Sequence, residues 1–114
     1  MFNKVVLVGN LGTDPKFTKT KGIAATFPLA TSTRRNEDYD DPNVAVDWHR
    51  IVVPPRLLNE CRNLKHDDVI LVEGQLKTSA RQKEKCEDGS RIYVYSTEVL
   101  AHTIKILLAK GSSD

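Results

Sequence analysis

Apolar and polar residues alternate most clearly over residues 44–53, and this pattern predicts a β-strand with two different faces. Trp48 and Arg50 would share one face with Val44, Val46 and Val52, while His49 would lie on the other. A flat ring beside a positive charge suits a nucleic-acid strand, because the ring can stack on a base while the arginine contacts a phosphate. The ring could equally fill the core of a small β domain.

The residues before this strand predict two others. Residues 2–9 are almost continuously apolar in their second half, as is typical of a strand covered on both faces. Residues 9–12 contain two glycines, which permit a bulge or a sharp bend. A short β-rich start at residues 17–20 is followed by alternation over residues 23–33, where Pro28 belongs at an edge or a bulge because it lacks the ladder donor.

The second half of the chain predicts one helix and two strands. Residues 56–65 follow two prolines and place their apolar side chains at helical spacing: Leu57, Leu58, Cys61 and Leu64. Residues 68–78 and 91–102 are typical of strands, with Gly74 as a bulge or kink in the first and residues 103–109 either extending the second or forming a helix. The polar segment 34–43 predicts a solvated loop. Residues 79–87 are highly polar as well, and Asp88-Gly89 after them predicts a tight turn.

The predicted order is strand, strand, strand, helix, strand, strand. This order predicts an all-β fold, a five-stranded Greek-key barrel of the oligonucleotide/oligosaccharide-binding (OB) type with one short helix between strands 3 and 4. We expect a single domain over residues 1–109 and a short disordered tail over residues 110–114.

The composition excludes several classes of function. Seventeen basic against fifteen acidic residues leave a net charge of +2, so any nucleic-acid binding must rely on local placement of charge. Cys61 and Cys86 are far apart and lack metal-ligand spacing, which predicts free thiols, no metal and no cofactor. The histidines fall in different elements and no phosphate-binding or nucleophile motif is present, so we expect no enzyme. The absence of an 18-residue apolar run predicts a soluble protein without a membrane partner.

Several motifs share their order with those of one known family. They are Phe2 to Gly12 with Asp14-Pro15, Leu29 to Ser32, Trp48-His49-Arg50, Val72 to Leu76 and Tyr95 to Val99. With these motifs the chain resembles the bacterial and mitochondrial single-stranded DNA-binding proteins of the homotetrameric type, from residue 2 to about residue 100. The resemblance implies binding of single-stranded DNA in replication, recombination and repair, with Trp48 and Arg50 facing the DNA. It also implies a dimer formed by the first strands and a dimer of such dimers.

The chain departs from this family at three of four stacking positions. Members typically stack bases on several aromatic side chains, whereas the matching places here hold Arg34 or Arg35, Trp48, Pro54, and Arg81 or a neighbouring charged residue. Each stacked base contributes roughly 1–3 kcal/mol. Arginine planes can replace part of this stacking, and we therefore expect weaker and more salt-sensitive binding than in a typical member.

The candidate site residues follow from the resemblance and from charge. The expected ionic contacts, about half of which we expect to be ordinary surface charges, are Lys4, Arg34, Arg35, Arg50, Arg56, Lys77 and Arg81. Tyr93 is a candidate for replacement stacking, while Tyr95 is expected to pack within the sheet. The expected subunit interface comprises Phe2, Asn3, Val5, Leu7 and His49, the last pointing toward the barrel or a subunit contact.

The C-terminal segment also differs from that of typical bacterial members. Bacterial members generally end in a flexible acidic tip that recruits replication and repair proteins, and no such tip follows Ala109 here, so recruitment of those proteins is not implied.

Two alternative functions remain open. An accessory or primosomal paralogue acting mainly through protein contacts, or an RNA-binding OB module, would share the same motifs. The expected location is the bacterial cytoplasm, at the nucleoid, or alternatively the matrix of a mitochondrion or another organelle.

Overall fold

The computed structural model describes residues 1–32 and 45–110, and of Arg81 only the backbone. The elements follow the predicted order, with a two-residue fragment ahead of the second long strand: β1 Val5–Leu11, β2 Lys16–Phe17, β3 Ala25–Ser32, β4 Val46–Val53, a 3₁₀ turn at Pro55–Leu57, α1 Leu58–Arg62, β5 Val69–Lys85 and β6 Arg91–Leu108. The loop predicted at residues 34–43 lies outside the described residues, as do residues 111–114 of the predicted tail.

The strands close into a barrel. They are hydrogen-bonded in the order β1-β5-β6-β4-β3-β2, and an additional pairing between β1 and β3 closes the ring. All pairings are antiparallel except that of β4 with β6, where Ile51 lies opposite Val99. This closed barrel with its short helix between β4 and β5 confirms the predicted OB architecture.

A change of partner along β1 makes the closure possible. Residues Val5 to Asn10 pair with β5, and Asn10 and Leu11 then pair with Ala30 and Leu29 of β3. Gly9 lies at this transition, where a Cβ would come 2.1 Å from the carbonyl oxygen of Ala30. Only glycine permits so close an approach of two backbones. The glycine pair predicted to bend the strand therefore lies at the point where the barrel closes.

Pro28 lies at a gap in the ladder. Its carbonyl accepts a hydrogen bond from the amide of Gly12, so the donor that proline lacks would point to the same side. On that side β3 pairs with β2 through Ala25 and Thr26, and with β1 only from Leu29 onward. Pro28 thus lies between the residues of β3 that pair with β2 and those that pair with β1. This gap in the ladder is consistent with the edge or bulge position expected for a proline.

The core fills the barrel from β1, β3, β4, β5 and β6 and is capped by the helix. Its largest fully buried side chains are Leu11, Phe27, Leu29, Ile51, Ile70, Val53, Val72 and Cys61. Leu57, Cys61 and Leu64 are all buried, which confirms the apolar face predicted for the helical segment. The α-helix itself is shorter than predicted, because Pro54 and Pro55 start the segment as a 3₁₀ turn and Asp67 reverses the chain with φ of 71°.

Two predictions about the strands are wrong for the single chain. β1 is not covered on both faces: Val5 and Leu7 pack on the core, whereas Val6 and Val8 remain 54% and 50% exposed. The strand predicted over residues 68–78 is too short, because β5 continues to Lys85 in pairing with β6, with one irregularity between Gln82 and Glu84. Residues 79–96 form a two-stranded hairpin arm that extends from the barrel. This arm has no core to cover, so its strands need no apolar alternation.

A tight turn ends the arm, and a bulge interrupts β5 where the strand still belongs to the barrel. Gly89, with φ of 92°, forms the predicted turn, and Asp88 accepts hydrogen bonds from the amide and hydroxyl of Ser90, which lower the pKa of the Asp88 carboxyl. The register shifts between Glu73 and Gly74, as predicted, because a Cβ at Gly74 would lie 2.1 Å from the carbonyl oxygen of Leu100. β6 then runs as a strand to Leu108, which settles the open choice at residues 103–109.

A buried carboxylate fixes the end of β6. Asp68 is 2% exposed and accepts backbone hydrogen bonds from Lys65 at 2.9 Å and Lys110 at 3.0 Å. On the surface beside it, the Lys110 ammonium donates to Asp67 at 2.8 Å, which lowers the pKa of Asp67 and raises that of Lys110. These contacts hold the last strand against the segment that follows α1.

In the described part of the chain, no helix is long and apolar enough to cross a membrane.

Candidate nucleic-acid interface

Trp48 lies on the outer surface of the barrel. It projects from β4 opposite Ala30 of β3 and is 62% exposed, whereas Ile51 and Val53 of the opposite face are fully buried. The two open interpretations of this ring are thereby separated. Trp48 is not a core residue, and its indole is accessible to a base.

Gly12 supports the indole from below. A Cβ built on Gly12 would lie 2.5 Å from Cζ3 of Trp48 and 3.1 Å from Cγ of Pro28. The six-membered ring therefore lies against the backbone of the segment after β1, in space that any other residue would occupy with a side chain. A ring supported in this way remains exposed without being free to rotate in all directions. Such a ring is a ready stacking platform.

A shallow groove of about 380 Å³ runs beside the ring. Its lining combines the aromatic ring with cationic, hydroxyl and apolar groups: Thr13, Lys16, Thr26, Phe27, Pro28, Trp48, His49 and Arg50. Thr13, Lys16 and Gly12 were not among the predicted site residues. The feature of the sequence that could have indicated them is the Asp14-Pro15 turn close to Gly12. The chain reverses there, and the segment after β1 comes to lie beside the strand that carries Trp48.

Arg50 shares the Trp48 face, as the alternation predicted. Its Nε donates to Oε2 of Glu98 on β6, the strand that lies parallel to β4. Lys77 of β5 lies directly opposite Glu98 in the β5–β6 register. Two predicted cations thus flank one carboxylate that the sequence did not single out. Its contact to Arg50 joins residues 48 positions apart, which alternation within a strand cannot reveal.

Two further predicted cations that the structure describes, Lys4 and Arg56, do not line the groove beside Trp48. The Lys4 ammonium lies 3.8 Å from the carboxylate of Glu73 on β5, and Nη1 of Arg56 donates to the carbonyl of His102 at 3.2 Å, beyond the far end of β4. Arg34 and Arg35 lie outside the described residues. The backbone of Arg81 pairs with Val94 on the hairpin arm. Within residues 1–32 and 45–110, Arg50 and Lys16 are the lysine and arginine side chains that line the groove with Trp48.

Both tyrosines of the arm are exposed. Tyr95 is 70% exposed, so the expectation that it packs within the sheet is wrong: this part of β6 has left the barrel and has no core to pack on. Tyr93 is also exposed, consistent with access to a base. Each tyrosine is an odd number of positions from Glu98 along β6, so alternation places both on the face opposite to that of Glu98.

The predicted interface residues fall into different environments. Phe2 is exposed, while Asn3 exchanges two hydrogen bonds of 2.9 Å with the backbone of Leu76 within the same chain. Val5 and Leu7 face the core. His49 is half-buried, with Nε2 2.8 Å from the hydroxyl of Thr31, so it points toward the barrel. The exposed apolar side chains of β1 are instead those of Val6 and Val8. The subunit interface itself stays a prediction.

Both cysteines are free thiols, as predicted. Cys61 lies on the buried face of α1, and burial raises the pKa of its thiol to about 11. Among residues 1–32 and 45–110, no three His, Cys, Asp or Glu side chains are grouped so that they could hold a metal ion.

Comparison with known proteins agrees with this geometry. The model of the single-strand binding protein family matches residues 2–107. The chain is 33% identical to the single-stranded DNA-binding protein of Bacteroides thetaiotaomicron over 97% of its own length and 69% of the relative's. It is 33% identical to single-stranded DNA-binding protein 1 of Chlorobaculum tepidum, covering 96% and 67%, and 32% identical to the protein of Xanthomonas campestris pv. campestris, covering 96% and 62%. With its closed OB barrel and its match over residues 2–107, this chain belongs to the single-strand binding protein family.

Proposed function

We propose that this protein binds single-stranded DNA without sequence preference and covers the strands exposed during replication, recombination and repair in the bacterial cytoplasm. The observation that carries the proposal is Trp48, an indole 62% exposed on the outer face of the barrel and supported by Gly12. Every base has a flat face, so stacking on such a ring tolerates any sequence. The relatives named as single-stranded DNA-binding proteins support the same function.

Local charge completes the proposed contact. Arg50 shares the face of Trp48, and Lys16 lines the groove beside it, so phosphates flanking a stacked base would find cations nearby. The chain as a whole carries only +2, which makes these local cations more important than bulk attraction. The protein acts in this proposal as a binding protein, with no catalytic step of its own.

The proposed assembly is a homo-oligomer, a dimer of dimers. Its support is the apolar surface that the single chain leaves uncovered: Val6 and Val8 of β1 project away from the core and are about half exposed. Burial of such side chains contributes about 25 cal/mol per Å² removed from water. Light scattering coupled to gel filtration measures the mass, and a monomeric mass at micromolar concentration would refute this part of the proposal.

The single tryptophan gives a direct test of binding. We expect oligo(dT) to quench Trp48 fluorescence strongly, because a stacked base contacts the indole, and duplex DNA to quench it little. Equal quenching and affinity with oligo(U) would instead identify an RNA-binding module. If neither quenching nor a change in anisotropy of labelled oligo(dT) occurs at low salt, the proposed function is wrong.

A pair of aromatic variants tests the role of the ring itself. Removal of one stacking aromatic costs roughly 1–3 kcal/mol, so Trp48→Ala should raise the Kd for labelled oligo(dT) by about 5- to 150-fold. Tyr95→Ala is the matched control, an exposed aromatic residue on the arm. Its effect should be smaller. A Trp48→Ala protein that binds as tightly as the parent would contradict the assignment of this face.

A further inference from the structure

Arg50 and Glu98 form an ion pair within the proposed DNA-binding face. Arg50 belongs to β4 and Glu98 to β6, and each precedes by one position the pair Ile51 and Val99, which lie opposite each other in the parallel register. Both side chains therefore project from the same outer surface. The contact joins Nε of the guanidinium to one carboxylate oxygen of Glu98.

We propose that Glu98 is a positioning residue of this interface: its carboxylate holds the guanidinium of Arg50 beside Trp48, ready to receive a phosphate. This inference rests on the proposed binding of single-stranded DNA. Contact at Nε leaves the terminal nitrogens of the guanidinium for other acceptors, and these nitrogens can form a two-point contact with phosphate. The Arg50 side chain is 61% exposed and that of Glu98 only 22%, so the carboxylate lies below the guanidinium.

The position of the carboxylate has two opposing consequences. A negative charge near the path of a phosphate backbone repels it, which weakens binding. A long arginine side chain that is already held in place loses less freedom when it contacts DNA, which strengthens binding. Lys77, opposite Glu98 on β5, limits the repulsion because a second cation is placed near the same carboxylate. Of the two effects of Glu98, the positioning of Arg50 is the larger.

Two variants of Glu98 separate these effects. Glu98→Gln removes the negative charge but keeps an oxygen that can accept from Nε, whereas Glu98→Ala removes both the charge and the acceptor. Binding of labelled oligo(dT) is measured by anisotropy at one fixed low salt concentration. We expect the Gln variant to bind at least as tightly as the parent and the Ala variant to bind roughly two- to tenfold more weakly. If both variants bind more tightly than the parent, Glu98 only repels DNA and the inference is overturned.

A double-variant cycle tests whether Glu98 acts through Arg50. In a background carrying Arg50→Ala, the further change Glu98→Ala should no longer weaken binding, because the side chain that it positions is gone. Weakening that persists in this background would overturn the inference. Thermal unfolding of each variant shows whether the barrel is intact, and rescue of binding by Glu98→Gln excludes a purely structural loss.

A second carboxylate provides the matched control. Glu73 of β5 lies 3.8 Å from the Lys4 ammonium, and neither residue lines the groove beside Trp48, so Glu73→Ala removes an ion pair outside that groove. We expect it to leave affinity within about twofold of the parent, since exposed pairs contribute little. Equal losses in the Glu73 and Glu98 alanine variants would contradict the inference. A parent that fails to bind oligo(dT) would instead refute the proposed function, which separates the two failures.

Discussion

Substitution of Gly12 by alanine should impair binding by moving the ring of Trp48, with little effect on folding. The added Cβ would lie 2.5 Å from Cζ3 of the indole, and ordinary carbon contacts begin near 3.5 Å, so the ring must move by roughly 1 Å. Trp48 is largely exposed and can swing toward solvent. The backbone of the segment after β1 therefore needs no large shift.

The size of the effect is bounded by what the ring contributes. Stacking on one aromatic side chain is worth roughly 1–3 kcal/mol, and a displaced ring retains part of it. We expect a loss of about 1 kcal/mol in binding, a five- to sixfold higher Kd, with less than about 1 kcal/mol lost in the free energy of unfolding. The assays are anisotropy of labelled oligo(dT), the emission maximum of the single tryptophan, and urea unfolding.

Two other glycines serve as controls for Gly12→Ala. Gly22 adopts φ of 81° in an open turn, so Gly22→Ala should cost about 1 kcal/mol of stability through backbone strain and leave binding unchanged. Gly74→Ala should unfold the barrel, because its Cβ would meet the backbone of Leu100 at 2.1 Å. If Gly12→Ala shifts the tryptophan emission and binding stays equal to that of the parent, then Trp48 does not stack on DNA and the reasoning is refuted.

Three further outcomes are expected. Arg50→Ala should reduce the slope of log K against log salt by about 0.7, one phosphate contact on a single strand, and an unchanged slope would exclude that contact. Val8→Lys should lower the mass of the assembly measured by light scattering without unfolding the chain, since Val8 faces away from the core; an unchanged mass would exclude β1 from the interface. The raised pKa of Cys61 means that its contribution to stability is complete below pH 9 and is lost as the pH rises through about 11. Urea unfolding of the parent and of Cys61→Ala should therefore converge in this range, and a constant difference would contradict it.

The fold could be predicted from the sequence because a barrel buries one face of each strand. Alternation over residues 25–29 and 51–53 identifies the faces that Phe27, Leu29 and Ile51 present to the core. The same rule fails on the hairpin arm, where β5 continues to Lys85 without an apolar face. A ladder that extends into solvent is held by backbone hydrogen bonds, and these leave no pattern in side-chain polarity.

The residues of the candidate site could be predicted only in part from the sequence. Trp48 and Arg50 could be assigned to one face because they are two positions apart in one strand. Their neighbours Gly12 and Glu98 come from distant parts of the chain, and the closure of the barrel brings them together. Lys4 and Arg56, selected by charge alone, lie elsewhere with their own partners.

The sequence by itself determined the order of the strands, the placement of Trp48 and Arg50 on one face, and the glycines at which the backbone bends, because each of these depends on spacing within a short segment. It left open whether that face is buried or exposed. Only the tertiary structure decided what supports the ring and what holds the arginine. Gly12 reaches Trp48 because β1 crosses from β5 to β3, and Glu98 reaches Arg50 because β4 and β6 run parallel. Contacts of this kind depend on how strands are paired in space, which no local period of the chain encodes.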